Sequence, residues 1–427
     1  MRTNRSFKIS PDLQSKMALL QWSRSNREVV WLDSNRHQDP YSTFEACLAV
    51  GAQEWVNTDA ELQMFIERRR DWLFGYFSYD FKNELEDLTS NNFDGLGFPL
   101  LRFFCPKKII IIADGQLRFN YLNDYACEID GDLAKIREYG SLDLPKSDAE
   151  PIKIKMRIHK DAYFEKVNRF LEHIHRGDIY EANFCQEFYA EDVVIEPLET
   201  YIRLNSISEP PFAAYVKMHD QYLMCASPER YIKKMGQKVI SQPIKGTAPR
   251  GKDANEDEKI KDELARNKKE RAENIMIADL VRNDLSKSAI KGTVKVEELC
   301  KVHTFKQVHQ LISTIISKVE ENKNPVEIIK ETFPMGSMTG APKISAMKII
   351  EDLEETRRGL YSGTVGYFDP QGNFDFNVVI RSILYNAKKK YISYSVGGAI
   401  TAESKPEMEY QECLLKAKAM RTVLEEG

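Results

Sequence analysis

Toward its C-terminus the chain doubles back twice within a short span. Residues 361–368 and 374–385 are extended, apolar runs separated by Asp369-Pro370-Gln371-Gly372, and residues 390–396 form a third run. A link that short joins only antiparallel neighbours, so these runs predict a three-strand meander. Similar runs occur at 180–188, 212–217, 222–226, 230–234 and 238–244, and upstream at 73–80, 101–105, 108–113 and 117–121, where Asp114-Gly115 is a hairpin turn. Helical patterns accompany them. Residues 160–176 carry Tyr163, Val167, Phe170, Leu171 and Ile174 at helical spacing, and a helix over about 405–425 closes the chain.

Composition narrows the function classes. The 61 basic and 65 acidic residues of this 427-residue chain leave a net charge of −4, so no global field draws nucleic acid or an anionic membrane surface. No apolar run approaches the length of a membrane span, and the basic first ten residues are followed by Pro11-Asp12-Leu13-Gln14 rather than an apolar stretch. These features predict a soluble, cytoplasmic protein. Seven single cysteines without a C-x-x-C pair read as reduced core residues, and the histidines show no zinc spacing. Any metal is expected to be hard and oxygen-ligated. A polar stretch at 140–151 divides an N-terminal region, 1–145, from a second region, 151–427, with no implication that they fold separately. The run 256–271 is charged on nearly all faces and predicts an exposed segment.

Three motifs could carry chemistry. In Pro243-Ile244-Lys245-Gly246-Thr247-Ala248-Pro249-Arg250-Gly251, prolines and glycines hold one lysine at the end of a strand. Such an amine becomes a nucleophile if burial and nearby positive charge lower its pKa, and Arg250 is a candidate for that charge. The same residues also read as a strand ending in a turn with a solvated lysine. Two helices carry glutamates at i and i+3, Glu270 with Glu273 and Glu409 with Glu412, so each pair shares a face. Facing each other across a cleft, the pairs could hold one Mg²⁺; alone, each reads as solvated surface. Residues 336–343 form a Gly- and hydroxyl-rich loop opening a helix, suited to an anion, but the spacing and Pro342 exclude a Walker A loop.

Taken in order, residues 243–251, the helix containing Asp279-Leu280-Val281-Arg282-Asn283-Asp284, residues 336–343 and residues 407–416 resemble the chorismate-utilising enzymes. The resemblance covers 151–427, and Gly75-Tyr76-Phe77-Ser78-Tyr79-Asp80 extends it into the N-terminal region. It implies an α+β fold of two large, mostly antiparallel β-sheets packed as a sandwich with helices outside. Within the family, isochorismate and anthranilate synthases typically carry alanine at the position of Lys245, whereas the aminodeoxychorismate-forming members carry lysine. That implies amination of chorismate by way of a lysine nucleophile, on the route to 4-aminobenzoate and folate.

The resemblance also implies roles for single residues. Glu229 matches the general acid that assists departure of the C4 hydroxyl. Glu273 and Glu412 match Mg²⁺ ligands, with Glu270 and Glu409 acting directly or through water. Arg381 and Tyr361 match the residues that hold the enolpyruvyl carboxylate, and Gly397 and Lys416 match further carboxylate contacts. Thr247, His309 and Ser337 line the site, although His309 also reads as a satisfied core histidine. At Glu181 the chain departs from the pattern: isochorismate and salicylate synthases have a lysine base there, and amine-transferring members usually have glutamine. None of the cysteines sits in a Gly-x-Cys-x-Gly nucleophile turn, so ammonia is expected either free or from a separate glutamine amidotransferase subunit. Anthranilate synthase component I and a non-catalytic chorismate-binding protein are the alternatives.

Overall fold

The computed structural model of the protein describes residues 1–8, 13–37, 39–140, 151–306 and 308–426. The proposed linker at 140–151 lies almost entirely outside these residues. The named strands pair antiparallel throughout, and they form one connected network with two branches. The first runs Arg2–Lys8, Gln116–Leu122, Leu101–Ala113, Ala46–Val56, Glu28–Asp33, Phe212–Met218, Gln221–Ser227, Ser382–Asn386, Tyr391–Thr401 and Glu181–Ala190. The second leaves the front half of Leu101–Ala113 through Leu73–Phe77, Thr364–Phe368, Phe374–Asn377, Arg230–Met235, Lys238–Gln242 and Val308–Lys318. Ile244–Pro249 and Lys295–Thr304 flank that last strand. The two expected sheets are therefore present but joined, because the long strands Ala46–Val56 and Leu101–Ala113 run through both.

Alternation along the strands builds the layers. Val30, Cys47 and Ala49 face inward with Phe77, Phe103, Ile315 and Phe376 of the second branch, forming the core between the branches. Their neighbours Val29, Trp31, Leu48 and Val50 face outward. There they meet the helices Leu13–Ser23, Ile129–Tyr139, Pro197–Ser208 and Pro406–Glu425. Each large apolar side chain removed from water in this way contributes about 1.5–3 kcal/mol. Strands of 1–145 pair with strands of 151–427 in both branches: Glu28–Asp33 with Phe212–Met218, and Leu73–Phe77 with Thr364–Phe368.

Two expectations change here. The run 374–385 is not one strand: Phe374–Asn377 belongs to the second branch and Ser382–Asn386 to the first. The backbone crosses between branches at 378–381, where Arg381 adopts φ +53, a left-handed conformation that costs a non-glycine residue energy. A second crossing lies between Gln221–Ser227 and Arg230–Met235 and carries Glu229. The amide of Val378 donates to the Glu229 carbonyl at 3.0 Å, tying the crossings together. The second change concerns cysteine: all seven are free and six are buried, but Cys127 is exposed. The helix expected at 160–176 is found as Lys160–Arg176, ended by Gly177 at φ +88. The charged run becomes two helices, Ala254–Arg266 and Lys268–Ser286, the second capped by Asn267.

Candidate active site

Lys245 lies on a bulge. Ile244–Pro249 pairs with Val308–Lys318 at Ile244 and again at Thr247, and the register shifts between them. Gly246 takes φ +96 there, and a Cβ on it would stand 3.0 Å from Leu311 and 3.1 Å from Glu270, so the lysine backbone sits directly against the helix Lys268–Ser286. Asn274 of that helix, buried and one residue from Glu273, fixes the bulge by donating to the Lys245 carbonyl at 3.0 Å and to the Leu311 carbonyl at 2.9 Å. Nothing in the sequence around Asn274 marks this role.

The environment of the lysine is the reverse of the one expected. Arg250 is turned away, with two guanidinium nitrogens each 2.8 Å from the carboxylate of Asp257. The Lys245 ammonium instead stands 4.0 Å from Glu181 and 3.9 Å from Glu273. Burial pulls its pKa down, but the carboxylates of Glu181, Glu273, Glu412 and Glu409 outweigh burial and hold it above the ordinary lysine value. Glu181 is only 2 % exposed, and one of its oxygens, Oε2, meets no hydrogen-bond donor among the described residues. Burial raises its pKa, opposed by Lys245.

Glu229, at the crossing, is buried, and burial pushes its pKa up to about 7. A cavity of about 20 Å³ lies beside it, lined by a mixture of apolar side chains such as Val281 and Leu285 and polar ones such as Asp284 and Thr332. The Ser337 hydroxyl, the Ile244 amide and the Lys245 charge draw that pKa partly back. Ser337 Oγ is itself buried and meets no partner in strict hydrogen-bond geometry among the described residues. Residue 230, next in the chain, points the other way. Arg230 pairs with Asp39 and Asp375 at the wall of a separate cavity of about 240 Å³ that includes neither Lys245 nor Glu229.

The glutamate pairs come from the two expected helices, and their charges interact: Glu412 helps burial and Glu273 raise the pKa of Glu270, while Lys269 draws down Glu409 and Glu412. Among the described residues, no group of three or more His, Cys, Asp or Glu side chains is arranged to hold an ion. Glu412 is bound to Lys416 at 2.6 Å, and Glu409 accepts from Ser404 at 2.7 Å. The donor set still suits a hard divalent cation. Two helices supply four carboxylates, and burial with mutual repulsion holds Glu270 and Glu409 above the ordinary range.

Lys416 also donates to the Gly397 carbonyl at 2.9 Å, and the Lys416 carbonyl accepts from Arg381 at 3.3 Å. Burial lowers the Arg381 pKa against the opposing pull of Tyr361 and Glu412, which puts these three groups in one neighbourhood. Thr247 is exposed on its strand, its hydroxyl 3.5 Å from Gln310. Both ring nitrogens of His309 are taken within the protein, by Thr304 and Asp257 at 2.9 Å each. In the 336–343 loop, Lys343 turns inward to Asp284 and to the carbonyls of Thr332 and Pro334, so its charge is spent on structure.

A buried ion pair absent from the sequence reading holds the Glu181 strand to the Ser337 loop. Arg358 binds Glu354, the Asn183 carbonyl at 2.7 Å and the Met338 carbonyl at 2.6 Å, while Glu354 accepts from the Cys185 amide at 2.8 Å. Arg358→Ala leaves Glu354 buried without its counter-charge and is expected to cost about 3–5 kcal/mol of stability. Denaturant unfolding of the purified variant measures that loss.

The family model for chorismate binding enzymes matches residues 22–422. Anthranilate synthase component 1 of Thermus thermophilus is 35 % identical over 360 residues, covering 82 % of this chain and 77 % of its own length. Aminodeoxychorismate synthase component 1 of Escherichia coli is 40 % identical over 266 residues, 62 % of this chain and 58 % of its own length. The crystal structure of anthranilate synthase component I from Streptococcus pneumoniae TIGR4 superposes with a TM-score of 0.77 at 23 % identity, covering 90 % of this chain and 95 % of that one. The chain therefore belongs to the family of chorismate binding enzymes. Among the described residues no helix is long and apolar enough to cross a membrane.

Proposed function

We propose that this protein aminates chorismate at C4, the activity of an aminodeoxychorismate synthase component I, supplying 4-amino-4-deoxychorismate for 4-aminobenzoate and folate synthesis. The observation that carries this reading is Lys245 itself, a primary amine on a pinned bulge between Glu181 and Glu273. A member of the family that adds ammonia directly at C2 has no use for a second amine at that point. The likeness to the Escherichia coli aminodeoxychorismate synthase component supports the same reading.

In this reading the Lys245 ammonium gives its proton to water and the amine adds to C2 of chorismate. The ring double bonds shift and the C4–O bond breaks, and Glu229 donates the proton with which the hydroxyl leaves as water. A pKa near 7 keeps a useful share of that carboxyl protonated at neutral pH. Ammonia then adds at C4, the C2–N bond breaks, and its electron pair returns to Lys245. Arg381 and Tyr361 hold the enolpyruvyl carboxylate, while Lys416 and the Gly397 backbone meet a further carboxylate. Glu273 and Glu412, with Glu270 and Glu409, would hold Mg²⁺, which when bound supplies positive charge for the ring carboxylate. The ammonia is free or comes from a separate glutamine amidotransferase subunit.

Incubation with chorismate, Mg²⁺ and ammonium, with and without added aminodeoxychorismate lyase, tests the reading. The expected result is 4-aminobenzoate only when the lyase is present. Anthranilate as the product would establish the alternative, anthranilate synthase component I, and reject C4 amination.

A further inference from the structure

The two oxygens of Glu181 have different surroundings. Oε1 stands 4.0 Å from the Lys245 ammonium, whereas Oε2 of the same buried carboxylate meets no donor among the described residues. Leaving a buried acceptor without a donor is costly, most of all on a charged group. The backbone that carries the group is firmly held. Its strand is held by the pairing of Ala341 with Glu181 and Gly340 with Ala182 on one side and Thr401 with Glu181 on the other. The Arg358 clamp grips the same strand two residues further on, at Asn183.

We infer that Glu181 is the docking point for the second nitrogen, its Oε2 receiving an N–H of incoming ammonium beside Lys245. The inference rests on the amination reading. C2 and C4 are separated by one ring carbon, so the two nitrogens of that reaction must approach neighbouring points. A carboxylate with one oxygen 4.0 Å from the lysine and the other without a donor among the described residues offers two such points, about a carboxylate width apart. The charge also fits, since a compact cation with several N–H donors complements a buried anionic acceptor. Ammonium passes one proton to Oε2 and becomes ammonia; ammonia's lone pair then forms the C4–N bond as the C2–N bond to Lys245 breaks.

Steady-state kinetics of Glu181→Gln with ammonium as the varied substrate test this. The KM for ammonium is expected to rise about tenfold or more while the KM for chorismate stays within about twofold, and Glu181→Asp should recover part of the loss. With chorismate and no ammonium, the variant should still form the covalent Lys245 adduct. An unchanged ammonium KM, or loss of the adduct with no change in ammonium KM, would show that Glu181 only balances the lysine charge and would overturn the inference. The ammonium KM can be read with whichever aminated product forms, so failure of C4 amination and failure of the Glu181 role are separately visible.

Discussion

Lys245→Ala is expected to lower formation of 4-amino-4-deoxychorismate about a thousandfold or more, because it removes the group that opens C4 to substitution. The protein should stay folded. Among the described residues the side chain makes no hydrogen bond to the sheet, and the bulge is held through the Lys245 backbone carbonyl by Asn274. Glu273 and Glu412 keep Lys269 and Lys416 as partners, whereas Glu181 loses its counter-charge, so the variant should also be less stable than the wild type. With C2 no longer occupied by the lysine, any amination that persists should move to C2. Chromatography of the products, together with a thermal unfolding midpoint for the variant, separates lost chemistry from lost structure.

Glu229→Gln should be the second most damaging change, lowering the rate by about 10²–10⁴-fold, the usual range for a lost general acid. The amide is nearly isosteric and keeps its backbone link to Val378. It also removes a group that burial holds near 7, and that gives the experiment a second readout. The acid must be protonated to act, so in the wild-type protein the Glu229-dependent rate is full below its pKa and falls as pH rises through about 7. In Glu229→Gln that descending limb should disappear, leaving a slow reaction without it. A variant that retained both the rate and the limb would assign the acid elsewhere.

Sequence patterning revealed the local structure well and the crossings poorly. The helix Lys160–Arg176 was visible because its apolar stripe and the glycine after it are local signals. The glutamate pairs were visible because i and i+3 spacing already decides that two side chains share a helix face. The run 374–385 looked like one strand because its apolar pattern continues through Arg381, and no pattern of side chains reports a positive φ at an arginine. Yet that break moves the chain from one sheet branch to the other and sets Arg381 near Tyr361. Lys245 was legible as a held amine, but its surroundings were not. Arg250 is its sequence neighbour, while Glu181, Glu273 and Glu412 arrive from separate elements, and they reverse the sign of the local field. Asn274 and the Arg358–Glu354 pair were invisible for the same reason: their partners are backbone groups brought close only by the finished sheet.

The covalent role of Lys245 is tested most directly by the intact mass of the protein after exposure to chorismate and Mg²⁺ with ammonium withheld. Without the second nitrogen, the adduct has no route forward to product. The expected result is a species heavier than the protein by one chorismate less one water, attached at Lys245, absent in Lys245→Ala and discharged when ammonium is added. A wild-type protein that makes the 4-amino product at full rate yet never carries that mass, under any quench, would contradict that role.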